Sequence, residues 1–148
     1  MDHMREEILI QAPVEHVWAL LCDTSRMKEW MPRADTSDWT GPYDQVGTTY
    51  VVTMRMMGFE NKTTYEVVEV EPLKLIREHS DSGPMDNTTR LEREGDATRL
   101  IMESDYVMPG HLPEFITKIF TKSFMERQVR HMLADFKAIA EATVPVPV

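Results

Sequence analysis

Cysteine is almost absent from this sequence, and basic residues are scarce. Cys22 is the one cysteine, so an internal disulfide is excluded, and its place beside Leu21 on an apolar helical stripe predicts a buried, unreactive thiol. Lys and Arg number 16 against 25 Asp and Glu, a formal net charge of -9. Proteins that bind phosphates need clustered Lys and Arg, so this balance argues against a nucleic-acid partner and against stable association with an anionic membrane.

Long apolar runs and known catalytic motifs are also missing. The opening segment MDHMREEILI has neither a basic leader nor an apolar run of signal-peptide length, which predicts a cytoplasmic protein. The sequence contains no Gly-x-Ser-x-Gly, Walker loop, His-Glu-x-x-His or Cys-x-x-Cys motif, and its five histidines lack metal-ligand spacing. We therefore predict neither a metal nor another cofactor.

The apolar content of the chain is sufficient for one core. With 148 residues, 42% of them apolar and 28% charged, the chain predicts a single domain over 1–148, with residues 143–148 as a loose tail. Turn residues divide the sequence into short alternating runs that predict seven antiparallel strands. These runs are Arg5 to Gln11, Asp35 to Thr40, Thr48 to Met56, Asn61 to Val70, Leu75 to Ser80, Met85 to Glu94 and Thr98 to Met108.

Helical periodicity appears in three places. Residues Val14, Val17, Trp18 and Leu21 follow Pro13 at helical spacing, and a second short stripe from Met27 to Met31 ends at Pro32. The third segment, residues 114–142, contains no proline or glycine and carries a long apolar stripe, which predicts one continuous helix. This order of elements predicts an α+β fold in which an antiparallel sheet wraps around a long C-terminal helix.

Several ordered motifs resemble one known superfamily, the helix-grip, START-like or Bet v 1-like (SRPBCC) proteins, and in particular their polyketide cyclase/dehydrase and lipid transport branch. The motifs are Ile8-x-Ile10-x-Ala12-Pro13-Val14-Glu15-x-Val17-Trp18, Glu29-Trp30-x-Pro32, Val46-Gly47-Thr48, Glu66-Val67-Val68-Glu69-Val70-Glu71-Pro72 and Thr98-Arg99-Leu100. The resemblance implies that the two short helices close one end of the curved sheet. It also implies a cavity between the sheet and the long helix that holds a hydrophobic or amphipathic small molecule.

Strand alternation and this expected cavity together predict which residues bind the ligand. They are Trp30, Met54, Met56, Tyr65, Asn87, Thr89, Met102, Ser104, Tyr106, Phe115, Ile119 and Phe120. Strand 75–80 fits either register; in one of them Arg77 and His79 face inward as acid/base candidates. Among the other histidines, His16 and His131 are expected to face solvent, and His111 could border the cavity mouth.

Three functions fit this pattern. The first is binding of a lipid, polyketide or similar molecule for transport, sequestration or presentation. The second is a polyketide cyclase, aromatase or dehydratase that uses the same cavity, and the third is a co-chaperone-like module that binds a protein partner. The family has no universal catalytic motif to assign residue by residue, and a monomer or a homodimer is compatible with the sequence.

Overall fold

Seven antiparallel strands within the described residues form one sheet, in the order β1-β7-β6-β5-β4-β3-β2. The computed structural model describes residues 2–56, 58–80, 85–107, 113–119 and 121–145. The elements in chain order are β1 (Asp2–Ile10), α1 (Val14–Cys22), α2 (Met27–Trp30), β2 (Ala34–Ser37), β3 (Thr49–Met56), β4 (Phe59–Glu71), β5 (Leu75–Ser80), β6 (Met85–Glu94), β7 (Ala97–Tyr106), α3 (Glu114–Ile119) and α4 (Lys122–Ala142). A short 3-10 turn, Thr24–Arg26, joins α1 to α2. This arrangement confirms the predicted helix-grip fold.

Alternation along the strands places one apolar set against the helices. In the register, Ile8 pairs with Leu100, and Leu100 pairs with Leu91; Leu100 and Leu91 are buried in the core and Ile8 packs partly buried against it. Tyr50 pairs with Tyr65 in the same way on β3 and β4. The opposite, convex face carries cross-strand ion pairs such as Arg99 with Glu94 and Glu7. The core therefore lies between the concave face and the helices.

The two short helices close one end of this core. Pro13 precedes the first helical residue, where its missing N–H costs nothing, and α1 buries the predicted stripe of Val14, Val17, Trp18 and Leu21. Helix α2 buries Trp30, whose ring lies edge-on to Phe136 of α4 with centroids 5.2 Å apart. His16 is half-buried rather than exposed, because its Nε2 lies 3.0 Å from both Ala140 O and Thr143 Oγ1. The prediction that His16 faces solvent is therefore only partly met, whereas His131 is exposed as expected.

The C-terminal helical region is interrupted, and the prediction of one continuous helix over 114–142 was wrong. Helix α3 ends at Ile119 and α4 begins at Lys122. Between them Thr121 adopts an extended conformation, with φ -76° and ψ 162°, and its side-chain oxygen accepts a hydrogen bond from the Phe124 N–H. A threonine that caps the following helix in this way stops the preceding one without proline or glycine.

Several strands, among them β1, β2 and β7, begin or end at residues other than the predicted ones. The backbone of Asp38 has a positive φ of 57°, a left-handed conformation that ends β2 at Ser37 instead of Thr40. Strand β1 begins at Asp2, and β7 ends at Tyr106; Met108 lies outside the described residues. Val144, the second residue of the predicted tail 143–148, packs partly buried against the core, so this part of the tail contacts the rest of the protein.

Candidate functional site

The register of β5 decides which polar groups face the concave side. Glu78 pairs with Asn87 of β6 and is buried, with 8% of its surface exposed. Arg77 and His79 therefore face the convex side, where Arg77 Nε lies 3.5 Å from Glu69 and His79 Nδ1 lies 2.7 Å from Asp86. Of the two registers that the sequence left open, the one with Arg77 and His79 inside was wrong, since Ile76 and Glu78 are buried residues on the concave face of β5.

Glu78 is the centre of a buried hydrogen-bond network. Its Oε2 accepts hydrogen bonds from Tyr43 Oη, at 3.2 Å, and from Tyr50 Oη. Its Oε1 accepts a hydrogen bond from Asn87 Nδ2 at 3.2 Å, and Ser104 Oγ donates to Asn87 Oδ1 at 2.6 Å. We call Tyr43, Tyr50, Glu78, Asn87 and Ser104 the Glu78 network. It links β3, β5, β6 and β7 with the loop that carries Tyr43.

Burial sets the protonation behaviour of this network. Desolvation raises the pKa of Glu78, while hydrogen bonds from Tyr50, Asn87 and Tyr43 act in the opposite direction. The pKa values of Tyr43 and Tyr50 are raised well above the ordinary value, first by burial and then by the negative charge of Glu78. Both phenols are therefore neutral hydrogen-bond donors at physiological pH.

Stacked aromatic rings hold the two phenols of the network in place. Trp39 stacks on Tyr50 with centroids 4.1 Å apart and an interplanar angle of 5°, and Tyr50 stacks on Tyr65 at 5.6 Å and 23°. Tyr43 lies edge-on to both Trp39 and Tyr50. Aromatic pairs of this kind add about 0.5–1.5 kcal/mol each beyond area burial. The ring cluster therefore fixes the hydroxyl groups that point at Glu78.

Most of the predicted ligand-binding residues on strands share the concave face. Strand pairing joins Asn87 to Ser104, Thr89 to Met102 and Met85 to Tyr106. Tyr65 is buried and its hydroxyl contacts Met85 Sδ at 3.0 Å, whereas Met54 is 40% exposed near the end of β3. The side chain of Met56 lies outside what the structure describes.

The predicted ligand-binding residues on the helices differ widely in burial. Trp30 is 3% exposed, and its indole Nε1 is buried without a hydrogen-bond partner among the described residues. On α3, Phe115 is 51% exposed and Ile119 is half-buried. The buried residue of α3 is Ile116, at 1% exposure, so the expectation that Phe115 faces the interior was wrong. Phe120 and His111 lie outside the described residues.

Part of the concave face is incompletely covered. Within the described residues, helix α4 lies mainly against β1, α2 and α1, at the edge and end of the sheet. Farther across the sheet, Val52, Met85, Asn87, Met102 and Ser104 are only half-buried although the register directs them toward the helices. Two shallow surface hollows, of about 210 and 540 Å³, lie beside His16 and beside Arg90 and are not lined by the Glu78 network.

Two kinds of feature are not found in the described part of the chain. It holds no group of three His, Cys, Asp or Glu side chains placed to bind a metal ion, and none of its helices is long and apolar enough to span a membrane.

Cys22 is half-buried, and burial raises the pKa of its thiol to about 12. A thiol with this pKa is protonated at neutral pH and is a poor nucleophile.

Comparison with known proteins gives one family and many similar structures. Residues 1–141 match the family described as "Polyketide cyclase / dehydrase and lipid transport", and a search of curated proteins finds no match. The Zhui aromatase/cyclase of Streptomyces sp. R1128 superposes with a TM-score of 0.79 at 18% identity, over 98% of this chain and 96% of that one. A protein from Thermus thermophilus gives a TM-score of 0.77 at 20% identity, over 97% of this chain and 100% of that one.

A plant enzyme is also similar in structure. Norcoclaurine synthase from Thalictrum flavum, in a complex with dopamine and hydroxybenzaldehyde, superposes with a TM-score of 0.69 at 13% identity, over 98% of this chain and 89% of that one. At such identities the likeness concerns the fold alone.

Proposed function

Because this chain belongs to the polyketide cyclase/dehydrase and lipid transport family, we propose that it binds a small hydrophobic or amphipathic molecule between the sheet and helices α3 and α4. The observation that carries this proposal is the half-buried state of Val52, Met85, Met102 and their polar neighbours on the concave face. In a sealed core these side chains would be buried, because apolar surface left accessible forfeits about 25 cal/mol per Å². A ligand with an apolar body would cover them.

Polar groups beside this apolar surface would orient the ligand. Asn87 and Ser104 are half-buried and stand at the end of the Glu78 network, and a hydroxyl group can both donate and accept. A few polar groups within an apolar lining are typical of small-molecule sites. The preferred ligand is therefore amphipathic, with a polar end at β6 and β7.

Blocking the concave face tests the proposal. Met102→Trp places an indole at the half-buried position opposite Thr89. Glu103→Trp places the same indole on the convex face one residue later. An apolar fluorescent probe should bind the wild type and the Glu103→Trp variant, and its affinity for Met102→Trp should fall about tenfold or more. The melting temperature of Met102→Trp should stay near that of the wild type, because the added ring fills open space.

The opposite result has a clear signature. If the wild type binds no probe and Met102→Trp unfolds early, the new ring has overpacked a filled core, a change that costs about 1–3 kcal/mol. Native mass spectrometry of the purified protein supplies a second measurement, since a bound small molecule adds its own mass.

The Glu78 network favours an enzyme as the second candidate. A buried carboxyl group with a raised pKa can act as a general acid or base, as a cyclase, aromatase or dehydratase acting on a polyketide would require. Removal of the acid by Glu78→Gln should abolish turnover of such a substrate while probe binding persists. Equal turnover by Glu78→Gln and the wild type would exclude this role for Glu78.

A further inference from the structure

Glu78 differs from the other carboxylates in its surroundings. Several on the convex face form ion pairs, as in Glu69 with Arg77, and Glu6 meets Arg130 of α4 at 2.8 Å. Glu78 is more deeply buried, yet its three hydrogen-bond donors, Tyr43, Tyr50 and Asn87, are all neutral. Among the residues that the structure describes, no Lys, Arg or His forms an ion pair with it.

The two oxygens of Glu78 are unequally occupied. A carboxylate offers about four lone-pair positions. Oε2 accepts two hydrogen bonds, from Tyr43 and Tyr50, and Oε1 accepts one, from Asn87. One acceptor position therefore remains on Oε1, the oxygen that faces β6, where Asn87 is still partly accessible.

The donors around Glu78 also indicate which ionic form the site accommodates. Asn87 directs its amide N–H₂ toward Glu78, and its carbonyl oxygen accepts a hydrogen bond from Ser104. Three donors converging on one carboxyl group stabilise the anion, but an anion buried without a counter-charge is costly. A cation that arrives from outside the chain would offset that cost.

We propose that Glu78 recognises a protonated amine, which donates a hydrogen bond to Oε1 while the apolar body of the same molecule lies against Met85 and Met102. This inference rests on the proposed function, since it names the chemical class of the ligand for the same site. An alcohol would make the hydrogen bond without the charge. A carboxylate would bring a second negative charge beside Glu78, and is selected against.

Three probes of equal chain length test this preference: decylamine, decanol and decanoate, titrated below their micelle concentrations and followed by calorimetry. Decylamine should bind the wild type about tenfold or more tightly than decanol, since both head groups can donate to Glu78 but only the ammonium also supplies the counter-charge that the buried anion lacks. Decanoate should bind weakest. Glu78→Gln should reduce the preference for decylamine over decanol to about twofold or less, with decanol affinity unchanged.

The matched control is Glu69→Gln, which makes the same change in net charge on the convex face. It should keep the amine preference, so that attraction by the overall charge of -9 is separated from recognition by Glu78. The preference should also survive about 0.5 M salt, which screens surface charge but not a buried pair. This salt test decides the matter in the wild type even if Glu78→Gln does not fold.

Each result has one interpretation. If the three probes bind equally, or Glu78→Gln keeps the preference, the amine inference is overturned while the proposed small-molecule site stands. A preference that disappears in high salt overturns it as well. If no probe binds at all, the proposed function fails and the inference fails with it.

Discussion

At the scale of single residues, Glu78 makes stability depend on pH. Burial raises its folded-state pKa above the unfolded value, so the carboxyl group contributes stability below the unfolded pKa. That contribution is lost as the pH rises through the folded pKa. Glu78→Gln removes the ionisation but keeps the shape, and Asn87 can turn its amide to match because Ser104 can accept as well as donate.

The expected outcome is a pH-dependent difference between two melting curves. The melting temperature of Glu78→Gln minus that of the wild type should increase as the pH is raised from about 4 to about 8. Both melting temperatures are measured by circular dichroism at constant ionic strength. The exposed Glu69→Gln variant provides the baseline. A constant difference across this range would show that Glu78 titrates in the folded protein as it does in the unfolded chain.

At the scale of elements, the division between α3 and α4 depends on Thr121. Its hydroxyl oxygen accepts from the Phe124 N–H at 3.2 Å, and the loss of such a cap costs about 0.5–2 kcal/mol. Thr121→Ala should therefore lower the free energy of unfolding by about 1 kcal/mol in urea titrations, and Thr121→Asn should retain most of it. Ser123→Ala, an exposed change within the first turn of α4, should have little effect; an equal loss there would rule out the cap as the cause.

The sequence predicted some elements well because their signals are local. The α1 stripe, the apolar stripe of α4 and the order of seven strands follow from periodicity and turn residues. The register of β5 could not be predicted, since Leu75 and Ile76 are both apolar and both buried, which leaves a six-residue strand without clear alternation. Pairing with β4 and β6 sets that register, so Glu78 was missed and Arg77 and His79 were proposed instead.

The break between α3 and α4 was missed for a different reason. Thr121 is compatible with a helix interior as well as with an N-cap, and residues 114–142 contain neither proline nor glycine. Only the tertiary arrangement selects the capped form. Phe115 and Ile116 are adjacent apolar residues at the start of the segment, and periodicity alone does not decide which of the two faces the interior.

At the scale of the whole molecule, the interior has two zones. Around Leu133 and Phe136, at 1% and 0% exposure, α4 seals against the core and α2. Leu133→Ala and Phe136→Ala should each cost about 2–5 kcal/mol in chemical denaturation, because a packed site is left with a hole. Met102→Ala, on the half-buried zone, should cost less than either. A loss for Met102→Ala as large as that for Leu133→Ala would indicate one continuous packed core.

The stack of Trp39 on Tyr50 gives the interior an optical reporter. The ring centroids of Trp39 and Tyr50 are 4.1 Å apart, and the Tyr50 hydroxyl donates a hydrogen bond to Glu78. The Trp39 indole therefore lies within the electric field of the Glu78 carboxyl group. Any change in charge or occupancy at Glu78 alters the field across that ring pair. Near-ultraviolet circular dichroism and tryptophan emission can therefore follow the state of the site in unlabelled protein, with Trp39→Phe as the spectrum to subtract.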